Sequence, residues 1–77
     1  MTNLEVKTAI ATAEVMGTKS AMEGKSRVPH HNDEFRSFLK TLDLKEPTVT
    51  NFRIAAMISE SFADNYTMQL LKMAAIK

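Results

Sequence analysis

Residues 37–52 read SFLKTLDLKEPTVTNF and predict two helices joined by a turn. The apolar residues ahead of the turn have near-helical spacing: Phe38, Leu39 and Leu42. The segment that follows, residues 43–46, is polar apart from one leucine. Pro47 can open the second helix, because its fixed φ and missing N–H suit the first helical position. Val49 and Phe52 then begin a new apolar helix face.

The composition favours a single all-helical domain. The 77 residues are enough for one domain, which we expect to span residues 1–77. The chain holds only two glycines and two prolines, and apolar and charged helix formers such as Ala, Leu, Met, Lys and Glu are common. Its β-branched run at residues 48–50 is too short to argue for a sheet. We therefore predict an all-α fold, a small bundle of three to four helices that includes the hairpin.

Capping and breaking residues set the expected helix limits. Thr2 can cap the first helix, Gly24 can end it in the left-handed conformation, and Asn32 can cap the next helix. The last segment contains no glycine or proline, and Asp64-Asn65 is its best candidate for a break. The predicted segments are a helix at about 3–23, a basic loop at about 24–32, and helices at about 33–42, 47–63 and 66–76.

The first predicted helix carries a stripe of small residues at steps of four: Ala9, Ala13, Gly17 and Ala21. Small side chains allow another helix to approach closely. Two partners fit this stripe, either another helix of the same chain or a second subunit.

The predicted loop is locally basic through Lys25, Arg27 and its two histidines. It is either a solvated connection or an arm that contacts phosphate or acidic groups. His30 and His31 precede two acidic residues, but adjacent histidines point in different directions and no second cluster is spaced to complete a metal site. We predict no metal and no cofactor.

The final segment, residues 66–76, is apolar on nearly every side. A helix of this kind must be covered, either by the first helix or by another copy of the chain. A single core in so short a chain is too small to hide everything, so we expect a homodimer. The residues predicted to form the interface are Tyr66, Met68, Leu70, Leu71 and Met73.

The hairpin resembles the helix-turn-helix motif of DNA-binding proteins over residues 37–53. The resemblance rests on the positions of the apolar residues Phe38, Leu42, Leu44, Val49 and Phe52. It implies that the first helix braces the second, whose early residues meet base edges in the major groove. The DNA-binding residues that it implies are Lys40, Lys45, Thr48, Thr50, Asn51 and Arg53. Asn can pair with adenine, Arg with guanine, and Thr with phosphate. Members of such families usually have a small residue at the place of Leu39 and a glycine at the place of Asp43.

Two functions are consistent with these features. The first is a small DNA-binding regulator, homodimeric, from a bacterium, phage or plasmid. With a net charge of only +1, its DNA contacts would have to rest on local charge. The alternative is a helical protein-interaction module, such as a phage-type inhibitor or adaptor that binds a partner protein.

Other classes of function are disfavoured by what the sequence lacks. It has no activated nucleophile, no paired carboxylates and no phosphate-binding glycine loop, so we predict that it is not an enzyme. The absence of cysteine fits a cytoplasmic location. No apolar run approaches the roughly eighteen residues of a membrane span, so we expect no membrane partner.

Overall fold

A computed structural model describes residues 1–76, and this part of the chain consists of α-helices with no strand. Helix α1 spans Asn3–Met22, α2 spans Asp33–Thr41 and α3 spans Val49–Ala75. One turn of 3₁₀ helix at Pro29–His31 precedes α2. The all-α prediction of three to four helices is confirmed.

The ends of α1 and α2 are formed by the predicted capping residues. The hydroxyl of Thr2 caps α1 at its start. Gly24, with a φ of 69°, turns the chain just after α1 in the left-handed region. The side-chain carbonyl of Asn32 accepts the backbone N–H of Phe35 at 2.8 Å and caps α2.

Helix α3 begins two residues later than the prediction of about residue 47. The Thr48 hydroxyl accepts the N–H of Asn51 at 3.1 Å, so Thr48 is the cap and Val49 is the first helical residue. Pro47 therefore lies ahead of the cap and does not open the helix. The connection from α2 to α3 runs over residues 42–48.

The predicted break at Asp64-Asn65 is wrong, because α3 is continuous from Val49 to Ala75. The Asn65 side chain donates to the carbonyl of Ser61 at 2.8 Å, so its polar group is satisfied inside the helix. Phe62 and Tyr66, which lie one turn apart on either side of Asp64-Asn65, are both buried, and this also favours the continuous helix.

Helices α1 and α3 run in the same direction. Gly17 lies directly against Phe62, and further along both helices the Tyr66 hydroxyl donates to the carbonyl of Lys25, just beyond α1. This close approach confirms that the small-residue stripe packs within the chain: Ala9, Ala13, Gly17 and Ala21 are all buried.

Helix α2 runs in the opposite direction to α1. It starts beside the end of α1, where the Asn32 amide donates to the buried Ser20 hydroxyl at 2.9 Å. It ends beside the start of α1, where Thr41 and Leu42 line a groove together with Leu4.

The core forms where α2 packs on the α1–α3 pair. Phe35 of α2 is fully buried, as are Ile58 and Phe62 of α3. The rings of Phe35 and Phe62 have centroids 5.0 Å apart and are tilted by 58°. The partly buried residues that extend this cluster from α2 and its connection to α3 are Phe38, Leu39, Leu42 and Leu44.

We predict that Gly17→Ala destabilises the protein although Ala is the better helix former. A Cβ at Gly17 would overlap the carbonyl oxygen of Phe62 and lie 2.9 Å from its carbonyl carbon, so α1 and α3 would have to move apart. The expected loss is about 1–3 kcal/mol of unfolding free energy, measured by urea denaturation followed by circular dichroism. Ser37→Ala, at an exposed position of α2, is the control and should stay within about 0.5 kcal/mol of the parent. A Gly17→Ala protein more stable than the parent would show that the helices do not meet here.

Candidate interaction surface

Helix α3 extends beyond the end of α1, the helix against which it packs. Gly17 and Phe62 lie at the same level along the two parallel helices. Met22, the last residue of α1, therefore lies at about the level of residue 67. The eight residues Met68–Ala75, which we call the α3 extension, project past α1 by about 12 Å at 1.5 Å per residue. The molecule is elongated as a result, with principal extents of 45 × 22 × 17 Å.

The α3 extension is apolar and exposed. Its large side chains stand in solvent, led by Leu71 at 61% exposure: Met68, Leu70, Leu71 and Met73. Its only charge is Lys72. These four residues are the predicted interface apart from Tyr66.

Tyr66 does not belong to that surface. It is only 9% exposed, and its hydroxyl donates to the carbonyl of Lys25 within the same chain. Its role is therefore to attach the loop after α1 to α3, which is why the apolar surface begins at Met68.

The implied DNA-binding residues lie at the end of α2, in the connection that follows and at the start of α3. Five of the six are exposed: Lys40, Lys45, Thr48, Thr50 and Arg53. Asn51 is half-buried, and its amide donates to the carbonyl of Glu46 at 2.9 Å. The Thr48 hydroxyl already serves as the helix cap. Acidic side chains at Asp43 and Glu46 are interspersed with these basic groups, so the charge at this end of the molecule is mixed.

The α2–α3 hairpin departs from helix-turn-helix geometry. That motif joins two steeply crossed helices by a turn of about three or four residues. Here the connection has seven residues, 42–48, and α3 runs back along the cluster in the opposite direction to α2. Asp43 does not take the left-handed conformation usual for the motif, since no non-glycine residue described has a positive φ.

Two apolar residues predicted to face the core stand outside it. Val49 and Phe52 are each 66% exposed, at the start of α3. Their spacing is typical of a buried helix face. They are exposed because they lie on a different side of α3 from Ile58 and Phe62, which face the core. They form a second apolar surface that spacing alone did not predict.

The basic loop is fastened to the rest of the chain. The Arg27 guanidinium donates through Nε to the Thr67 hydroxyl at 2.8 Å, a contact that no sequence pattern indicated. Ser26 Oγ lies 3.0 Å from Nδ1 of His31, and His30 is exposed. Among residues 1–76, no three or more His, Asp or Glu side chains are grouped as a metal site would require.

Comparisons with family models, with curated proteins and with solved structures found no match to this chain. None of the helices described is both long enough and apolar enough to cross a membrane.

We predict that the α3 extension contributes little to folding. Leu71→Ser should change the unfolding free energy by no more than about 0.5 kcal/mol, because Leu71 is exposed and lies beyond α1. Phe62→Ala, in the core of the same helix, should cost about 3–5 kcal/mol. Thermal and urea unfolding of both variants would test this contrast. A large loss from Leu71→Ser would mean that the extension is folded onto the rest of the chain.

Proposed function

We propose that this protein is a non-enzymatic interaction module that inserts the α3 extension into an apolar groove of a partner protein. The observation that supports this is the exposure, by 41–61%, of four large apolar side chains on the part of α3 that extends beyond α1. Apolar surface of this kind on a small protein marks an interaction site.

The chemistry of the extension defines the groove that it fits. A helix presents its side chains as a ridge, and a helix bound in a groove uses residues three and four apart as anchors. Met68, Leu71 and Ala75 share one side of the extension with this spacing. Leu70 and Met73 lie on the other side, so the groove must enclose the helix rather than touch one face. The methionines adapt their shape to the groove, because their side chains are unbranched and flexible. Full burial of an exposed large apolar side chain contributes about 1.5–3 kcal/mol. These four side chains are 41–61% exposed, so each can contribute part of that to binding.

The proposal predicts that a charge on the extension abolishes partner capture. Immobilised protein should recover one partner from a lysate in near-stoichiometric yield, and Leu71→Asp should remove it, because a carboxylate would be buried in the apolar groove. Ala11→Asp introduces the same group at an exposed site of α1 and should bind as the parent does. Both variants should keep the helical circular dichroism signal. Equal capture by the two variants would contradict the proposal.

A second candidate, DNA binding, is favoured by the exposed side chains at the start of α3. Thr50 and Arg53 project into solvent, and Lys40 and Lys45 are exposed nearby. These groups can contact phosphates and base edges, although the hairpin lacks the geometry of the motif.

This candidate predicts that Arg53→Ala weakens binding to a random duplex by about tenfold at low salt. Fluorescence anisotropy would measure the affinity, which should fall steeply as salt is added. Lys7→Ala, which removes an exposed positive charge from α1, is the matched control and should have a smaller effect. If the parent protein does not bind duplex DNA even at low salt, the candidate is removed.

A further inference from the structure

The exposed residues at the start of α3 belong to a longer pattern. Apolar or small residues recur at alternating steps of three and four, the spacing that forms a straight stripe in paired helices. We call these residues the α3 seam: Val49, Phe52, Ala56, Ser59 and Ala63. Only the hydroxyl of Ser59 is polar. The seam is about 21 Å long at 1.5 Å per residue.

The seam is open at one end and closed at the other. Val49, Phe52 and Ala56 are exposed, whereas Ser59 and Ala63 are half-buried. The next residue with the same spacing, Tyr66, is held under the loop that follows α1. A helix lying on the seam can therefore contact residues 49–63 but not the stretch that follows.

We propose that the occupant of this seam is the α3 seam of a second copy, packed antiparallel about a two-fold axis. The axis passes between Ala56 and Ser59, so the paired part of the seam is Phe52–Ala63, and Val49 lies beyond it. Phe52 of each copy then lies opposite Ala63 of the other, and Ala56 lies opposite Ser59. At both ends of the paired stretch, the large exposed ring of Phe52 therefore packs against the small side chain of Ala63. In a parallel pair the two Phe52 rings would instead lie against each other, and the loops after α1 would meet at the same end.

The charges beside the seam match this arrangement. Arg53 and Glu60 are exposed on the same side of the seam and form no ion pair within residues 1–76. In the antiparallel register that pairs Phe52 with Ala63, Arg53 of each copy lies opposite Glu60 of the other. The two-fold axis produces this pair twice. Opposite charges that flank a helix pair set its orientation and register.

The expected dimer is weak. The paired stretch, Phe52–Ala63, is about three turns long, so it buries less area than a standard interface. The dissociation constant should be on the order of micromolar. The seam ends at Ala63 and the α3 extension begins at Met68, so the two surfaces share no residue. Failure to capture a partner protein would therefore not affect this proposal.

Exchange of the two charges tests the dimer directly. Arg53→Glu places two carboxylates opposite each other at both ends of the seam, and Glu60→Arg places two cations there. Each variant alone should associate about tenfold more weakly than the parent in sedimentation equilibrium. An equimolar mixture of the two variants should form a heterodimer, because both pairs are then attractive again. Native mass spectrometry separates the heterodimer from either homodimer by mass.

Two control variants test whether association depends on the seam itself. Lys7→Glu reverses an exposed charge on α1 and should leave association unchanged. Leu71→Asp alters the α3 extension and should also leave it unchanged. The proposal is overturned if the parent is monomeric at several hundred micromolar, or if the mixture of charge variants forms no heterodimer. It is equally overturned if Leu71→Asp, rather than the charge variants, dissociates the dimer.

Discussion

The contact between Gly17 and the backbone of Phe62 is the constraint on which the rest of the structure depends. Because residue 17 has no side chain, α1 and α3 come together over a stripe of small residues with almost nothing between their backbones. That pair leaves little apolar volume of its own. The large side chains of the core therefore come from α3 and from α2, which places Phe35 against Phe62 beside the pair.

The same contact decides which parts of α3 reach solvent. It aligns the two helices so that the longer one, α3, continues past the shorter one by the eight residues of the extension. It also turns Ile58 and Phe62 inward, whereas Val49 and Phe52 lie on another side of the helix. Two exposed apolar surfaces on one helix thus have a single cause. The two surfaces share no residue of α3.

The polar contacts around the core hold the ends of its helices together. Asn32 caps α2 with its carbonyl oxygen and holds the buried Ser20 hydroxyl with its amide, which joins the end of α1 to the start of α2. The loop between them is attached to α3 by Arg27 and by the carbonyl that accepts the Tyr66 hydroxyl. These contacts give Arg27, Asn32 and Tyr66 structural roles at the ends of the core.

Local chemistry in the sequence was enough to predict the helices and several of their ends. Thr2, Gly24 and Asn32 act through the backbone next to them, so their roles could be read from residue type and spacing alone. The close approach along the small-residue stripe could also be predicted, because only small side chains permit it. The tertiary structure decided what lies opposite each face. Asp64-Asn65 favours a break locally, but burial of Phe62 and Tyr66 on either side keeps α3 continuous. Val49 and Phe52 have core spacing, yet they face solvent because α1 and α2 cover a different side of the helix, and no local pattern specifies which side that is.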